Sequence, residues 1–249
     1  MATADASHTM AGSEIMSGTL YGLGVGPGDP ELITLKAHRL LTSVPVVAYP
    51  APEHGESLAR SIVASHLAGN QTEIAIRMPL DLNRFPVEAV YDRAAVEIAE
   101  HLDAGRDVAA ICEGDPFFYG SFMYLFGRLT DRHRIEVVPG VSSLVACPAA
   151  AGAPLAARDD VLLVCPGILP EEELQVRLAT VEAAAVIKVG RHLDKVRRVL
   201  EALDLVEHAH YVEHATMADQ VVLPFSEIDA AKAPYFSMVL IHRRGEAWR

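Results

Sequence analysis

The chain has 249 residues, 51% hydrophobic and 22% charged, with a formal net charge of −12. That length allows one large domain or two ordinary ones with a real core, and the acidic balance excludes nonspecific nucleic-acid binding, which needs a basic face to displace counterions. No apolar run reaches the roughly eighteen residues of a membrane span, since VPVVAYPAP is short and VLLVCPGILP is broken by Pro166 and Gly167.

Residues 1–18 are small and polar, lack the basic start and apolar middle of a secretory signal, and read as a disordered tail. Beyond them, short Val- and Ile-rich runs alternate with helix-length segments, the βαβ rhythm of a mostly parallel sheet. Strands are expected near Leu20–Val25, Val44–Tyr49, Val108–Cys112 and Ile135–Val138. Helices are expected over Glu31–Leu41, with Asp29 as N-cap and Pro30 at the first turn, and over Ser57–His66, Val87–Asp103 and Phe118–Thr130. The rhythm pauses in GAPLAARDD and then resumes, so residues 152–159 read as a linker between an α/β unit at 19–151 and a second at 160–249. In that second unit VLLVC, AAVIKV, HAHYVEH, QVVLP and YFSMVLIHR read as strands with more antiparallel pairing. Its helices are expected near Pro170–Thr180 and Leu193–Leu203.

GLGVGPGDP, residues 22–30, is the first stretch with chemical content. It fails the G-x-G-x-x-G dinucleotide pattern from every glycine and has no lysine at the Walker A position. Asp29 would put a carboxylate where a phosphate belongs, and Pro27 has no N–H to offer one. Two readings stay open: a tight strand-to-helix turn capped by Asp29, or a strand end approached closely by a neutral or cationic ligand.

EGDPFFYGSFMYL, residues 113–125, again follows an apolar strand and again combines Gly, Asp and Pro before a helix. The crevice beyond the carboxyl ends of strands in an open α/β sheet is where ligands bind, so both loops are expected at one pocket. Phe122 and Phe126, at i and i+4, read as core, whereas Phe117 and Phe118 precede the periodicity and read as pocket residues. A third turn, VVPGVSS, opens a helix at Ser142 and Ser143, with capping as the plain alternative.

Cys112, Cys147 and Cys165 sit in apolar surroundings with no CxxC pair, which points to buried thiols in a reducing cytoplasm. His208, His210 and His214 form an HxHxxxH pattern, yet no acidic or cysteine partner completes a zinc shell, so no protein-bound metal is expected.

Together GLGVGPGDPELITLKAHRLL, EGDPFFYGS and VPGVSS, with VVAYPAPEHGESLARSIV between the first two, resemble the tetrapyrrole methylase family from Tyr21 to about Arg243. The resemblance implies two αβα domains with mixed sheets, of the class III methyltransferase type, with an active-site trough between them and assembly as a homodimer. It implies S-adenosyl-L-methionine as methyl donor and S-adenosyl-L-homocysteine as product. Carried over by motif, the donor contacts are Pro27, Gly114, Asp115, Phe118, Ser142, Ser143 and Val189, with Ala215 where glycine is common. The likeness is greatest to members that methylate precorrin-2 at carbon 20 to give precorrin-3A. Alternatives are a cobalt-loaded acceptor, another corrin-ring or uroporphyrinogen III methylase, and a non-catalytic module for adenosine compounds. Such an acceptor carries many carboxylates, so local cations must meet it: Arg84 and Arg191 first, then Arg77 and Arg158, with Lys188 and His192 beside them. A partly reduced macrocycle supplies its own nucleophilic carbon, which leaves the protein to align the reactants and exclude water. Asp29, Tyr119 and a carboxylate of the acceptor itself are candidates for the group that receives the departing proton.

Overall fold

The computed structural model describes residues 17–78, 87–228 and 233–244. Among the described residues two five-stranded sheets form. The first is built from β1 (Thr19–Gly24), β2 (Val46–Pro52), β3 (Thr72–Met78), β4 (Val108–Cys112) and β5 (Arg134–Val138), in the order β3-β2-β4-β1-β5. It is parallel throughout rather than mixed. Parallel strands need crossover helices, so both faces are covered and β4 reads VAAIC with every residue buried. Alternate residues serve opposite layers. Leu20, Val46, Ala48 and Ala110 pack with α3 (Val87–Asp103) and α4 (Phe122–Leu129). Leu23, Val47, Ala109 and Ile111 pack with α1 (Leu35–Ser43) and α2 (Leu58–Ile62).

The second sheet takes β6 (Leu162–Pro166), β7 (Ala183–Ile187), β8 (Ala209–Glu213), β9 (Val221–Pro224) and β10 (Ser237–His242) in the order β6-β7-β10-β8-β9. Only β6 and β7 run parallel; the other pairs are antiparallel. α6 (Glu171–Leu178) and α7 (Leu193–Ala202) cover one face, and α5 (Ser143–Ala151) packs on the other against Ala185, Ile187, Val212 and Leu240. α5 stops at Gly152, whose left-handed φ of 59° ends the helix and starts the connection to β6.

Several boundaries depart from the sequence expectations for local reasons. The helix expected over Glu31–Leu41 splits: Asp29 caps a single 3-10 turn at Pro30–Leu32, Ile33 turns extended, and Thr34 recaps the chain for α1. The helix expected from Phe118 starts only at Phe122, because Tyr119 sits at a φ of 56°. β3 was not anticipated; in TEIAIRM only Ile74 and Ile76 are buried, the weak signature of an edge strand.

Two glycine substitutions separate crowding from conformation. A Cβ at Gly24 would lie 2.5 Å from the Gly114 carbonyl oxygen and 2.6 Å from Gly140 Cα, whereas one at Gly127 in α4 meets nothing within 4 Å. Gly24→Ala is expected to cost about 1–3 kcal/mol in urea unfolding. Gly127→Ala, at an exposed helical position, is expected to gain about 0.5–1 kcal/mol. Equal effects of the two substitutions would refute the crowding account.

Candidate active site

The strand order does the first part of the work. β4, β1 and β5 are adjacent, so the loops that follow them meet at one end of the sheet although they lie far apart in sequence. Gly26 and Gly114 form an isolated bridge, with the Gly114 N–H donating to the Gly26 carbonyl at 2.7 Å. Both adopt left-handed φ, 85° and 66°. Gly24 and Gly140 press main chain to main chain against this bridge: a Cβ on Gly140 would lie 2.7 Å from Gly24 Cα. Gly22 has a different neighbour, since a Cβ there would come within 2.5 Å of Phe122 Cζ. The bare backbone of GLGVGPGDP thus approaches protein first, and only Pro27 of that loop reaches the cavity beyond.

Asp115 fixes the same corner. Its Oδ1 accepts the N–H groups of Phe117 (2.9 Å) and Phe118 (3.1 Å), and its Oδ2 accepts the Gly140 N–H at 3.0 Å. One carboxylate therefore shapes the loop after β4 and ties it to the loop after β5. Ser142 caps α5 through the Leu144 N–H at 3.1 Å, and Ser143 is the first helical residue.

Facing these loops across the cavity is the second sheet. The Asp29 N–H donates to Thr216 Oγ1 at 3.0 Å, and a side chain on Gly28 would run into Met217 and Thr216. Lys188, His214 and Thr216 hold left-handed φ of 54°, 45° and 70°, a conformation that costs a branched residue most. Tyr119, Lys188 and His214 thus bring three left-handed non-glycine residues into the lining of one space, with Thr216 next in sequence to its Ala215 and Met217. Lys188 Nζ lies 5.4 Å from the Tyr119 ring centroid, a cation–π contact between the two halves.

The space enclosed is about 860 Å³, toward the top of the roughly 300–1,000 Å³ common for small-molecule sites. Its lining includes Pro27, Gly114, Asp115, Phe118, Ser142, Ser143, Ala215 and Tyr119, all singled out from sequence. Other expected residues lie elsewhere. Val189 is fully buried in the core of the second sheet, and its neighbours Ile187 and Lys188 reach the cavity instead. The Asp29 carboxylate is spent on the Glu31 N–H at 2.8 Å and lies outside the lining. Arg77 is exposed on β3 and bonds the Pro52 carbonyl at 3.0 Å, Arg191 bonds His192 Nε2 at 3.3 Å, and Arg158 is exposed at a left-handed φ of 51°. Arg84 lies outside the described residues. Phe117 leans on Phe122 and Phe126 with centroids 6.0 and 5.1 Å away and does not reach the cavity. The HxHxxxH histidines separate: His214 Nδ1 pairs with Asp219 at 2.7 Å, and no group of three metal-ligating side chains occurs among the described residues.

Sequence reasoning missed Glu113 and the Tyr235–Met238 wall. Glu113 opens EGDP, in which only Gly114 and Asp115 carry a motif signal. Burial raises its carboxyl above the usual glutamate range, although backbone N–H groups of Ala59 and of Glu113 itself oppose the shift. Burial pushes the Cys147 thiol up to about 12. Among the described residues Lys188 is the one lysine or arginine in the lining, against three carboxylates, Glu56, Glu113 and Asp115. That balance suits a cationic group and offers no cradle for a phosphate.

Comparison with known proteins agrees with this geometry. The family described as Tetrapyrrole (Corrin/Porphyrin) Methylases matches residues 19–229, and the chain belongs to that family. It is 46% identical over 232 residues to the cobalamin biosynthesis protein CobIJ of Mycobacterium tuberculosis, covering 90% of this chain but only 46% of that one. The chain thus spans about half the length of the first curated relatives it matches. It is 41% identical to a precorrin-2 C(20)-methyltransferase of a Sinorhizobium species, over 90% of this chain and 95% of the relative. A cobalt-precorrin-2 C(20)-methyltransferase of Salmonella typhimurium is 33% identical, over 93% and 99%. Among solved structures, a uroporphyrin-III C-methyltransferase of Thermus thermophilus complexed with S-adenosylhomocysteine has a TM-score of 0.64 at 25% identity, covering 90% of this chain and 97% of that one.

The Asp115 clamp makes a stability prediction. Asp115→Ala leaves three backbone N–H groups without their acceptor and is expected to cost about 1–3 kcal/mol. Asp115→Asn, with one acceptor oxygen, is expected to fall between. Urea unfolding of the two variants checks this, and wild-type stability in both would show that the clamp contributes nothing.

Proposed function

We propose that the protein transfers a methyl group from S-adenosyl-L-methionine to carbon 20 of precorrin-2, giving precorrin-3A and S-adenosyl-L-homocysteine. The observation that carries the reading is the meeting of three motif-bearing loops at one cavity, with Gly114 and Asp115, Ser142 and Pro27 on adjacent strand ends. The identity of 41% to the Sinorhizobium precorrin-2 enzyme, spanning nearly all of both chains, supports this choice of acceptor. A second reading, a cobalt-loaded acceptor, draws support from the Salmonella relative at 33%.

The donor's sulfonium supplies an electrophilic methyl group. Main chain around Gly114, with Pro27, Phe118, Ser142, Ser143 and Ala215, would hold the donor's nucleoside and amino-acid parts without neutralising its charge. The carboxylates of Glu113 and Asp115 favour a positive centre in a cavity partly closed to water. Met123, Tyr235 and Phe236, all exposed large apolar side chains on the lining, offer the area that a macrocycle would cover. Lys188, held over the Tyr119 ring, would meet an acceptor carboxylate, a role that sequence reading gave first to arginines with Lys188 beside them. Alignment of an in-line displacement and exclusion of water then lower the barrier, with effective molarities worth on the order of 7–11 kcal/mol in the best oriented cases. Three thiols, all free and buried, support a reducing compartment. A homodimer is proposed on the family resemblance, and sedimentation velocity checks it.

Calorimetry is expected to show binding of S-adenosyl-L-methionine and S-adenosyl-L-homocysteine and none of NAD or ATP. With methyl-labelled donor, label is expected in precorrin-2; parallel tubes hold cobalt-precorrin-2 and uroporphyrinogen III. Label confined to the uroporphyrinogen tube would overturn the acceptor, and binding of NAD or ATP alone would overturn the enzyme class.

A further inference from the structure

We propose that the Glu113 carboxylate is the base that takes the proton from carbon 20 of the acceptor, an inference that rests on the methyl-transfer reading above. Methylation of an unsaturated carbon that already bears hydrogen leaves one proton too many. The new C–CH3 bond uses the enamine electron pair of the acceptor, and the S–CH3 bond breaks with its pair on sulfur. The C–H pair then returns to the macrocycle as the proton passes to a carboxylate oxygen. The charges balance: a sulfonium and a carboxylate become a thioether and a carboxylic acid.

Elimination within the lining leads to Glu113. Asp115 has both oxygens committed to three backbone donors, and protonation there would undo the corner it holds. Glu56 is exposed, and a base open to water gains little from the cavity. Cys147 lies up at about 12 and the Tyr91 hydroxyl is raised by burial, so both hold their protons near neutral pH, while Tyr235 is open to water, as Glu56 is. Tyr119 turns its ring to Lys188. His214 is held by Asp219 on the second sheet, beside Ala215 at the opposite wall.

Glu113, by contrast, sits at the carboxyl end of β4 immediately before Gly114. Oε1 is steadied by the Ala59 N–H at 3.1 Å, and no side chain among the described residues bonds its carboxyl group. A carboxylate positioned by main chain alone can take up a proton without releasing a side-chain partner. The groups within its electrostatic reach are Tyr91 from α3, Tyr235 before β10 and Cys112 on β4, each of which it pushes further toward the protonated form. Burial strengthens it as a base, the direction proton transfer requires.

The test compares wild type, E113Q and E113D with precorrin-2 and S-adenosyl-L-methionine across pH, alongside calorimetry with S-adenosyl-L-homocysteine. The wild-type kcat is expected to rise with pH along an acidic limb set by Glu113, lying above the ordinary glutamate range. E113Q is expected to lose that limb and about 100-fold or more in kcat, with S-adenosyl-L-homocysteine affinity unchanged. E113D, with its carboxylate drawn back, is expected to keep a limb at reduced kcat. If E113Q loses its cooperative melt, E113D decides: a limb retained at lowered kcat supports the base, and wild-type kcat overturns it. Wild-type rate and limb in E113Q, or loss of S-adenosyl-L-homocysteine binding in a folded E113Q, would also overturn it. So would a limb that persists in E113Q and vanishes in H214Q. A wild-type protein that methylates cobalt-precorrin-2 or uroporphyrinogen III but not precorrin-2 overturns the acceptor reading and this inference together, whereas a silent E113Q change in an active enzyme overturns this inference alone.

Discussion

The closest constraint in the molecule is the contact of three stretches of main chain where β4, β1 and β5 end. Gly24 and Gly140 approach each other and the Gly114 carbonyl to distances that leave no room for a Cβ, Gly114 itself turns through a left-handed φ of 66°, and Asp115 bonds across the gap to the Gly140 N–H. Parallel pairing brings those strand ends together, but pairing alone leaves the loops free to splay. The glycines allow the approach and the carboxylate holds it. The positions of Pro27, Phe118 and Ser142 around the cavity all follow from that corner.

The two halves of the site have different physical characters. On the first sheet, the corner where β4, β1 and β5 end is main chain against main chain, kept in place by hydrogen bonds between loops. On the second, the wall is side chains: Lys188, His214 and the Tyr235–Met238 run, carried on backbone that includes left-handed residues. Such conformations persist only where surrounding packing over-determines them. The Asp29 to Thr216 hydrogen bond and the fit of Gly28 beside Met217 join the halves at the residue most strained by its branching.

Most of the architecture was legible because its signals are local and periodic. Val87–Asp103 and Val108–Cys112 fall where the hydrophobic pattern put them. The failures have physical reasons. One proline-led turn was read into a longer helix, because Thr34 as a second cap looks like any helical threonine. Phe118 was expected to begin a helix that Tyr119, in a left-handed conformation, postpones. Within the site, glycine and aspartate motifs identified the first-sheet loops. Glu113 and the Tyr235–Met238 wall carry no local pattern, since only the sheet order brings them to the same space. Arginine was favoured for anionic ligands on its geometry, yet Arg77 and Arg191 are engaged elsewhere, and Lys188 stands in the lining.

The backbone corner carries an evolutionary corollary. A surface drawn by carbonyls and amides keeps its outline while side chains around it drift, so that corner of the chamber is sensitive chiefly at its glycines and at Asp115. The opposite face, furnished by lysine, histidine and aromatic rings, changes with every codon that alters them. Descendants of such a scaffold would inherit one partner and be free to acquire new ones opposite it.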